Sequence, residues 1–218
     1  AMKLGIPSGL QQMLFSIGIM TMQALVNGYG SLFMAGFSGA NKIDSFAFMP
    51  IQSFATAMTT YTGQNVGASR MDRVKQGTRA GLVLAIVCSL VLGFGIYPFG
   101  GFLMRMFNQN PEVIAAGEVY LRSVLPFYAL LGIQFIYTAV LRGAGEMIIP
   151  MVSSFVSLWL ARIPVAYILA ATLGRDSIYF SYAAGWLLGV IIAFVSYKRG
   201  KWKTKAVIVR PQNAESPT

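Results

Sequence analysis

Long apolar runs alternate along the chain with short polar stretches. The uninterrupted apolar windows predict six membrane-crossing helices, at about 7–30, 45–66, 78–104, 114–141, 148–173 and 177–197. Each is long enough, at about 1.5 Å per residue, to cross a hydrocarbon core roughly 30 Å thick. The stretches SLFMAGFSGANKID, FNQNPEV and GRDS carry the Gly, Asn, Pro and Ser of turns and are expected to connect spans. The expected fold class is therefore all-α: a polytopic membrane protein built as a bundle of six transmembrane helices over 1–200, followed by a tail at 201–218 whose last residues are expected to be disordered.

Composition agrees with this pattern. Of 218 residues, 56% are hydrophobic, 11% are charged and none is histidine, whereas soluble domains carry about 25% charged residues. The net charge of +10 would suggest nucleic acid in a soluble chain, but no basic patch is interleaved with stacking aromatics, and nucleic acid is not an expected partner. The cations instead mark the ends of spans. If both termini are cytoplasmic, that side receives twelve of the seventeen: Lys3, Arg70, Arg73, Lys75, Arg79, Arg142, Lys198, Arg199, Lys201, Lys203, Lys205 and Arg210. The opposite side receives Lys42, Arg105 and Arg175. That asymmetry predicts both termini inside. Basic KRGKWKTK after the last span suits an anionic leaflet. Cys88 is the only cysteine, which excludes an internal disulfide or cysteine-based metal site. The first run lacks a basic leader and a small-residue cleavage pattern, so no cleaved signal peptide is expected.

Polar residues recur inside the spans. Gln12, Ser16, Gln23 and Asn27 share one face of the first helix, and Gln52, Thr56, Thr59 and Gly63 share one stripe of the second. Gln134, Tyr137 and Thr138 lie in the fourth. Such stripes either bond neighbouring helices or line a wet cavity. Prolines favour the cavity, with Pro50, Pro126 and Pro164 as expected bend points. Arg122 follows Glu118 by four residues and is expected to pair with it. Arg162 has no acid nearby in sequence; it can reach an interface, bond carbonyls freed by Pro164, or face a cavity. Asp44, Asp72, Glu112, Glu118, Glu146, Asp176 and Glu215 all fall in expected loops, span ends or the tail. Without a nucleophile–base pair, paired carboxylates or a ligand cluster, neither an enzyme nor a metal site is expected. The polar seam YTGQNVGASRMDRVKQG reads as a cytoplasmic turn: Gly63 and Gly67 allow a close helix crossing, and its basic right half forms a short interfacial helix with Met71 and Val74 toward lipid.

Three motifs taken together, KLGIPSGLQQMLFSIG, IDSFAFMPIQSF leading to TGQNVGASRMDRVKQG, and LRGAGEMIIPM, resemble the multidrug and toxic compound extrusion family of efflux transporters, its bacterial branch in particular. The similarity covers nearly the whole chain. Members are usually about twice as long, with two six-helix lobes around a cavity, so the resemblance implies the second lobe only and a missing N-terminal six-helix lobe supplied in cis or in trans. It further implies alternating-access antiport of an amphiphilic or cationic small molecule against protons or sodium, in the bilayer of a bacterial inner membrane. Some relatives place cation-binding carboxylates on the first and fourth helices of this lobe. QQMLFSIGIMTMQ and PFYALLGIQFIYTAVLRGAG contain none, so the coupling ion is expected on the absent lobe and no cofactor is expected. The substrate-cavity candidates are Gln12, Ser16, Met20, Gln23, Met49, Gln52, Thr56, Phe127, Gln134, Tyr137 and Arg162. Gly63, Gln64, Asn65, Gly67, Arg142, Gly143 and Gly145 are the expected helix-packing and turn residues. Two other functions stay open: a flippase or exporter of a lipid-linked or polar metabolite, with Arg162 on an anionic group, and a non-transporting membrane assembly subunit that pairs through the Gly63/Gly67 seam.

Overall fold

The computed structural model describes residues 2–204, and the end of the tail that sequence assigns to disorder lies outside them. The described residues are helical almost throughout and contain no strand. In order they form α1 (Met2–Asn27), α2 (Ser31–Gly67), α3 (Met71–Ile96), α4 (Gly100–Arg105), α5 (Pro111–Val124), α6 (Tyr128–Gly143), α7 (Ile148–Phe155), α8 (Ile163–Leu173) and α9 (Ser181–Arg199). Six antiparallel passes result, because α3 and α4 run on through a 3-10 turn at Tyr97–Phe99, α5 and α6 through another at Leu125–Phe127, and α7 and α8 through a π-helical segment at Val156–Arg162. One end of the bundle carries the turns at Gly30, Asn110 and Gly174; the other carries those at Arg70, Gly145 and Gly200.

Five stretches are long and apolar enough to cross a membrane: Gly9–Asn27, Met71–Arg105, Pro111–Gly143, Ile148–Leu173 and Arg175–Arg199. The sixth pass, α2, is the longest helix at 37 residues, and its amides, hydroxyls and charges make it the most polar. Exposed Val83, Leu84, Val87, Val91 and Phe94 give α3 the apolar outer surface that lipid requires.

Two sequence expectations change here. SLFMAGFSGANKID is no connector: it is the first third of α2. Its glycines serve close packing, since a Cβ on Gly36 would sit 2.7 Å from both Ala116 Cβ and the Val113 carbonyl oxygen, so α2 and α5 approach backbone to backbone. Nor is MDRVKQG a separate interfacial helix. It forms the first turns of α3, with Val74 fully buried in a cluster with Val66, Val140 and Trp202 and with Met71 packed against it, rather than facing lipid. The same cluster docks the start of the tail, where the buried Trp202 stacks on Tyr197 and donates through Nε1 to the Tyr197 carbonyl at 2.9 Å.

The expected proline bends divide. Pro126 lies in the 3-10 turn between α5 and α6, and Pro164 opens α8 directly after the π segment, where the ring's clash with the preceding turn is relieved by wider winding. Pro50 leaves α2 continuous.

Candidate substrate face and buried charge cluster

The expected polar stripe on α2 divides: Gln52 and Thr56 point outward, whereas Thr59 and Gly63 are half-buried against α6 at Gly143. Met49, Gln52 and Thr56 are exposed, and Phe46, Ser53 and Thr60 extend the same open face. The Thr56 hydroxyl donates to the Gln52 carbonyl at 3.0 Å, which satisfies the hydroxyl locally and leaves the Gln52 amide free for an external partner. On α1, Gln12, Met20, Gln23 and Asn27 are exposed and Ser16 is half-buried. Neighbouring Gln11, which sequence did not single out, ties α1 to the bundle: its Nε2 donates to Ser154 Oγ at 2.6 Å and to the Pro150 carbonyl at 3.3 Å. Flexible methionines beside amides and hydroxyls form a surface able to accept apolar ligands of varied shape.

The α6 candidates lie inside the lobe instead. Gln134 is 8% exposed and fills the space left by Gly189, where a Cβ would collide with its Nε2 and with Ser157 Oγ. Tyr137 is 9% exposed and packs between Phe194 and Tyr197. Phe127 is half-buried and meets Phe180 edge-on. These three therefore do not join Gln52 and Thr56 on the open face.

Arg162 closes the π segment with its guanidinium flat on Tyr182, Cζ lying 3.3 Å from the ring centroid. Across from it stands Asp44, which the structure moves from an expected loop to the interior of α2. The Tyr120 hydroxyl donates to Asp44 Oδ2 at 3.1 Å and lies 3.4 Å from Asn41 Oδ1, while Arg162 is near enough to act on Asp44 electrostatically. Among the described residues no ion pair closes between the two, and Asp44 Oδ1 and Arg162 Nε are buried without a hydrogen-bond partner. Tyr120, Tyr179 and Tyr182 interlock around the cluster with centroids 5.0–5.6 Å from Tyr120. The acid that Arg162 lacks in sequence is thus supplied by a helix 118 positions away. Arg122 behaves as expected, pairing with Glu118 at 2.6 Å.

The turn motifs form two matching helix ends. After α6, the Gly145 N–H donates to the Arg142 carbonyl and the Glu146 N–H to the Leu141 carbonyl, both at 2.9 Å. After α2, the Ser69 N–H donates to Val66 at 3.0 Å and the Arg70 N–H to Asn65 at 2.8 Å. Both are Schellman closures, with Gly145 at φ +86° and Ser69 at φ +58° in the left-handed position. Asn65 Nδ2 also donates to the Tyr61 carbonyl. Beside these closures the helices cross at Gly63 and Gly143, where a Cβ on Gly143 would lie 2.7 Å from Thr62 Cβ. Gln64 and Gly67 remain exposed and Arg142 half-buried. Glu146 is buried and accepts from the Ile148 and Ile149 N–H groups at the start of α7.

A separate recess of about 280 Å³ opens at the Gly30 end, lined by Tyr29 to Phe33, Glu112, Ala116 and Arg175. It contains none of the residues expected from sequence.

A family model described as MatE matches residues 7–168. The chain is 35% identical to "Probable multidrug resistance protein YpnP" of Bacillus subtilis over 93% of its length and 45% of that protein's. It is 26% identical to "Probable multidrug resistance protein NorM" of Thermotoga maritima, over 98% of the chain and 47% of the relative. The chain thus spans about half the length of the curated relatives it matches. The solved MATE transporter VcmN of Vibrio cholerae, in its bent form, superposes with a TM-score of 0.86 at 18% identity, covering 93% of the chain and 46% of that structure. An outward-facing multidrug resistance MATE transporter gives 0.83 at 21%, covering 92% and 46%. These structural matches concern the fold.

Proposed function

The chain belongs to the MatE family of multidrug efflux transporters, and from that membership we propose that it is the C-terminal lobe of a cation-coupled antiporter. In this reading the lobe works with a complementary N-terminal six-helix lobe, in cis or in trans, and exchanges an amphiphilic or cationic small molecule for protons or sodium by alternating access. The observation that carries it is the open face of α2, where Met49, Gln52 and Thr56 stand exposed on a helix otherwise committed to a membrane bundle. A face of this composition is costly against lipid and useful against a wet cavity. The charge asymmetry supports an inner-membrane orientation with both termini cytoplasmic.

Transport in proteoliposomes holding the protein expressed from its whole reading frame tests this reading. An inwardly directed proton or sodium gradient is expected to accelerate ethidium export, and Gln52→Leu to slow it without lowering the melting temperature. Export indifferent to both gradients would rule out antiport. The alternatives lose support from specific contacts. An exporter of anionic metabolites needs an available guanidinium, whereas that of Arg162 lies on Tyr182 and faces Asp44. An assembly subunit needs a free glycine seam, whereas Gly63 is already spent within the lobe, 3.3 Å from the Gly143 carbonyl oxygen if given a Cβ.

A further inference from the structure

Three elements independently place the Asp44–Arg162 cluster at one depth. Counting from the Gly30 end at about 1.5 Å per residue, Asp44 lies about 20 Å along α2, Tyr120 about 14 Å along α5, and Arg162 about 16 Å back from the end of α8. That is inside a hydrocarbon core roughly 30 Å thick, where an uncompensated charge is expensive and a compensated one is kept for a reason. The pair is compensated, but only loosely. Asp44 Oδ1 and Arg162 Nε, the atoms that a direct ion pair would join, have no partner among the described residues.

The surroundings allow Asp44 to change state without dismantling the site. When it is ionised, Tyr120 donates to Oδ2 at 3.1 Å; when it is protonated, the same hydroxyl has a second acceptor in Asn41 Oδ1, 3.4 Å away. Asn41 is itself held by its Nδ2 bond to the Phe37 carbonyl at 2.9 Å. Arg162 stays in place either way, because Tyr182 holds the guanidinium plane from one side. The titratable and charged groups facing Asp44 are Tyr120 from α5 and Arg162 from the π segment, with Tyr182 of α9 beyond them. The other charges nearby are engaged elsewhere: Glu118 with Arg122, and Lys42 over Phe107.

We propose that proton uptake by Asp44 unmasks the charge of Arg162, turning this buried pair from electrically neutral to cation-repelling and so expelling a cationic guest; this rests on the antiport reading above. With Asp44 ionised the two charges sum to zero and a cationic guest meets only a small dipole. With Asp44 protonated the guest meets a full positive charge that the lobe has carried all along. The proton and the guest need not share a ligand. One unit charge about 12 Å from the guest, the rise along α2 from Asp44 to the open face at Gln52, changes its affinity on the order of tenfold at an effective dielectric near 20.

Binding of tetraphenylphosphonium, a cation that does not titrate, to the protein from its whole reading frame in nanodiscs between about pH 5 and 8 decides the matter. Wild type is expected to bind roughly tenfold more weakly at the acid end. Asp44→Asn should bind weakly at every pH. The double variant D44N/R162Q, which leaves no lone buried charge and so avoids the folding risk of removing one partner, should bind as tightly as wild type at high pH, with no pH dependence. A double variant that stays weak overturns the proposal, because Asp44 then contacts the guest directly. It is equally overturned if D44N keeps the wild-type pH profile, or if wild type binds the cation with a flat profile, which leaves the antiport reading standing. Wild type that binds no cation at any pH removes that reading and the proposal with it.

Discussion

Ser69 holds φ at +58°, the only non-glycine residue at positive φ among the described residues, in the position that Gly145 fills at the corresponding end of α6. Left-handed backbone costs an L-residue about 1–2 kcal/mol. Ser69→Gly is therefore expected to stabilise the protein by about 1 kcal/mol, and Gly145→Ala to destabilise it by about the same, both read as melting-temperature shifts in detergent. At this scale sequence was informative wherever the partner was local. Glu118 and Arg122 sit four apart on one helix face, and their ion pair follows from spacing alone. The position of Asp44 is not legible in sequence, because its partners, Tyr120 and Arg162, come from distant parts of the chain and its neighbours Gly36, Gly39 and Asn41 look like turn residues. Gln134 is ambiguous in sequence for a related reason: a buried amide and a cavity-lining amide have the same periodicity, and its burial against Gly189 is visible only in the fold.

Helices met one another where small residues let them, and that rule separates the elements that were legible from those that were not. Six passes could be read from length and hydropathy, the second of them only from about residue 45 onward. The start of α2 could not, because glycine in a soluble loop and glycine at a membrane-helix crossing are the same letter with opposite meanings. Gly36 lies against the α5 backbone near Val113 and Ala116, so Gly36→Leu is expected to force α2 and α5 apart and destabilise the lobe by about 1–3 kcal/mol. Thermal unfolding measured beside Gly28→Leu is the check, since a Cβ at Gly28 meets only carbonyls of its own preceding turn at 3.3 Å or more; equal losses at both sites would contradict the crossing. The π segment was equally hidden. Pro164 announced a bend, but sequence gave no reason to expect that the bend would be taken up by wider winding over Val156–Arg162, ending on the one arginine whose partner was missing.

At the scale of the molecule, six passes bring Met2 and Lys201 to the same end of the bundle, beside the Arg70 and Gly145 turns. If that end is cytoplasmic, a cysteine placed at Ser69 in a Cys88→Ser background should resist a membrane-impermeant maleimide added to intact cells, and one placed at Asp176 should react; the opposite result reverses the orientation. On the two-lobe reading proposed above, the open face and the half-length match to full transporters belong together, since a lobe that meets another keeps part of its surface unpacked. The length of α2 carries a mechanical consequence for such a meeting. Its 37 residues make a rod about 54 Å long, pinned to α6 at Gly63 close to one tip and packed on α5 at Gly36 close to the other, so that it turns with the whole lobe. The arm from that pin to Ser31 is about 48 Å, so a swing of only about 10° there sweeps the opposite tip through roughly 8 Å. A lever of this proportion turns a minor adjustment on one side of a bilayer into a wide opening on the other.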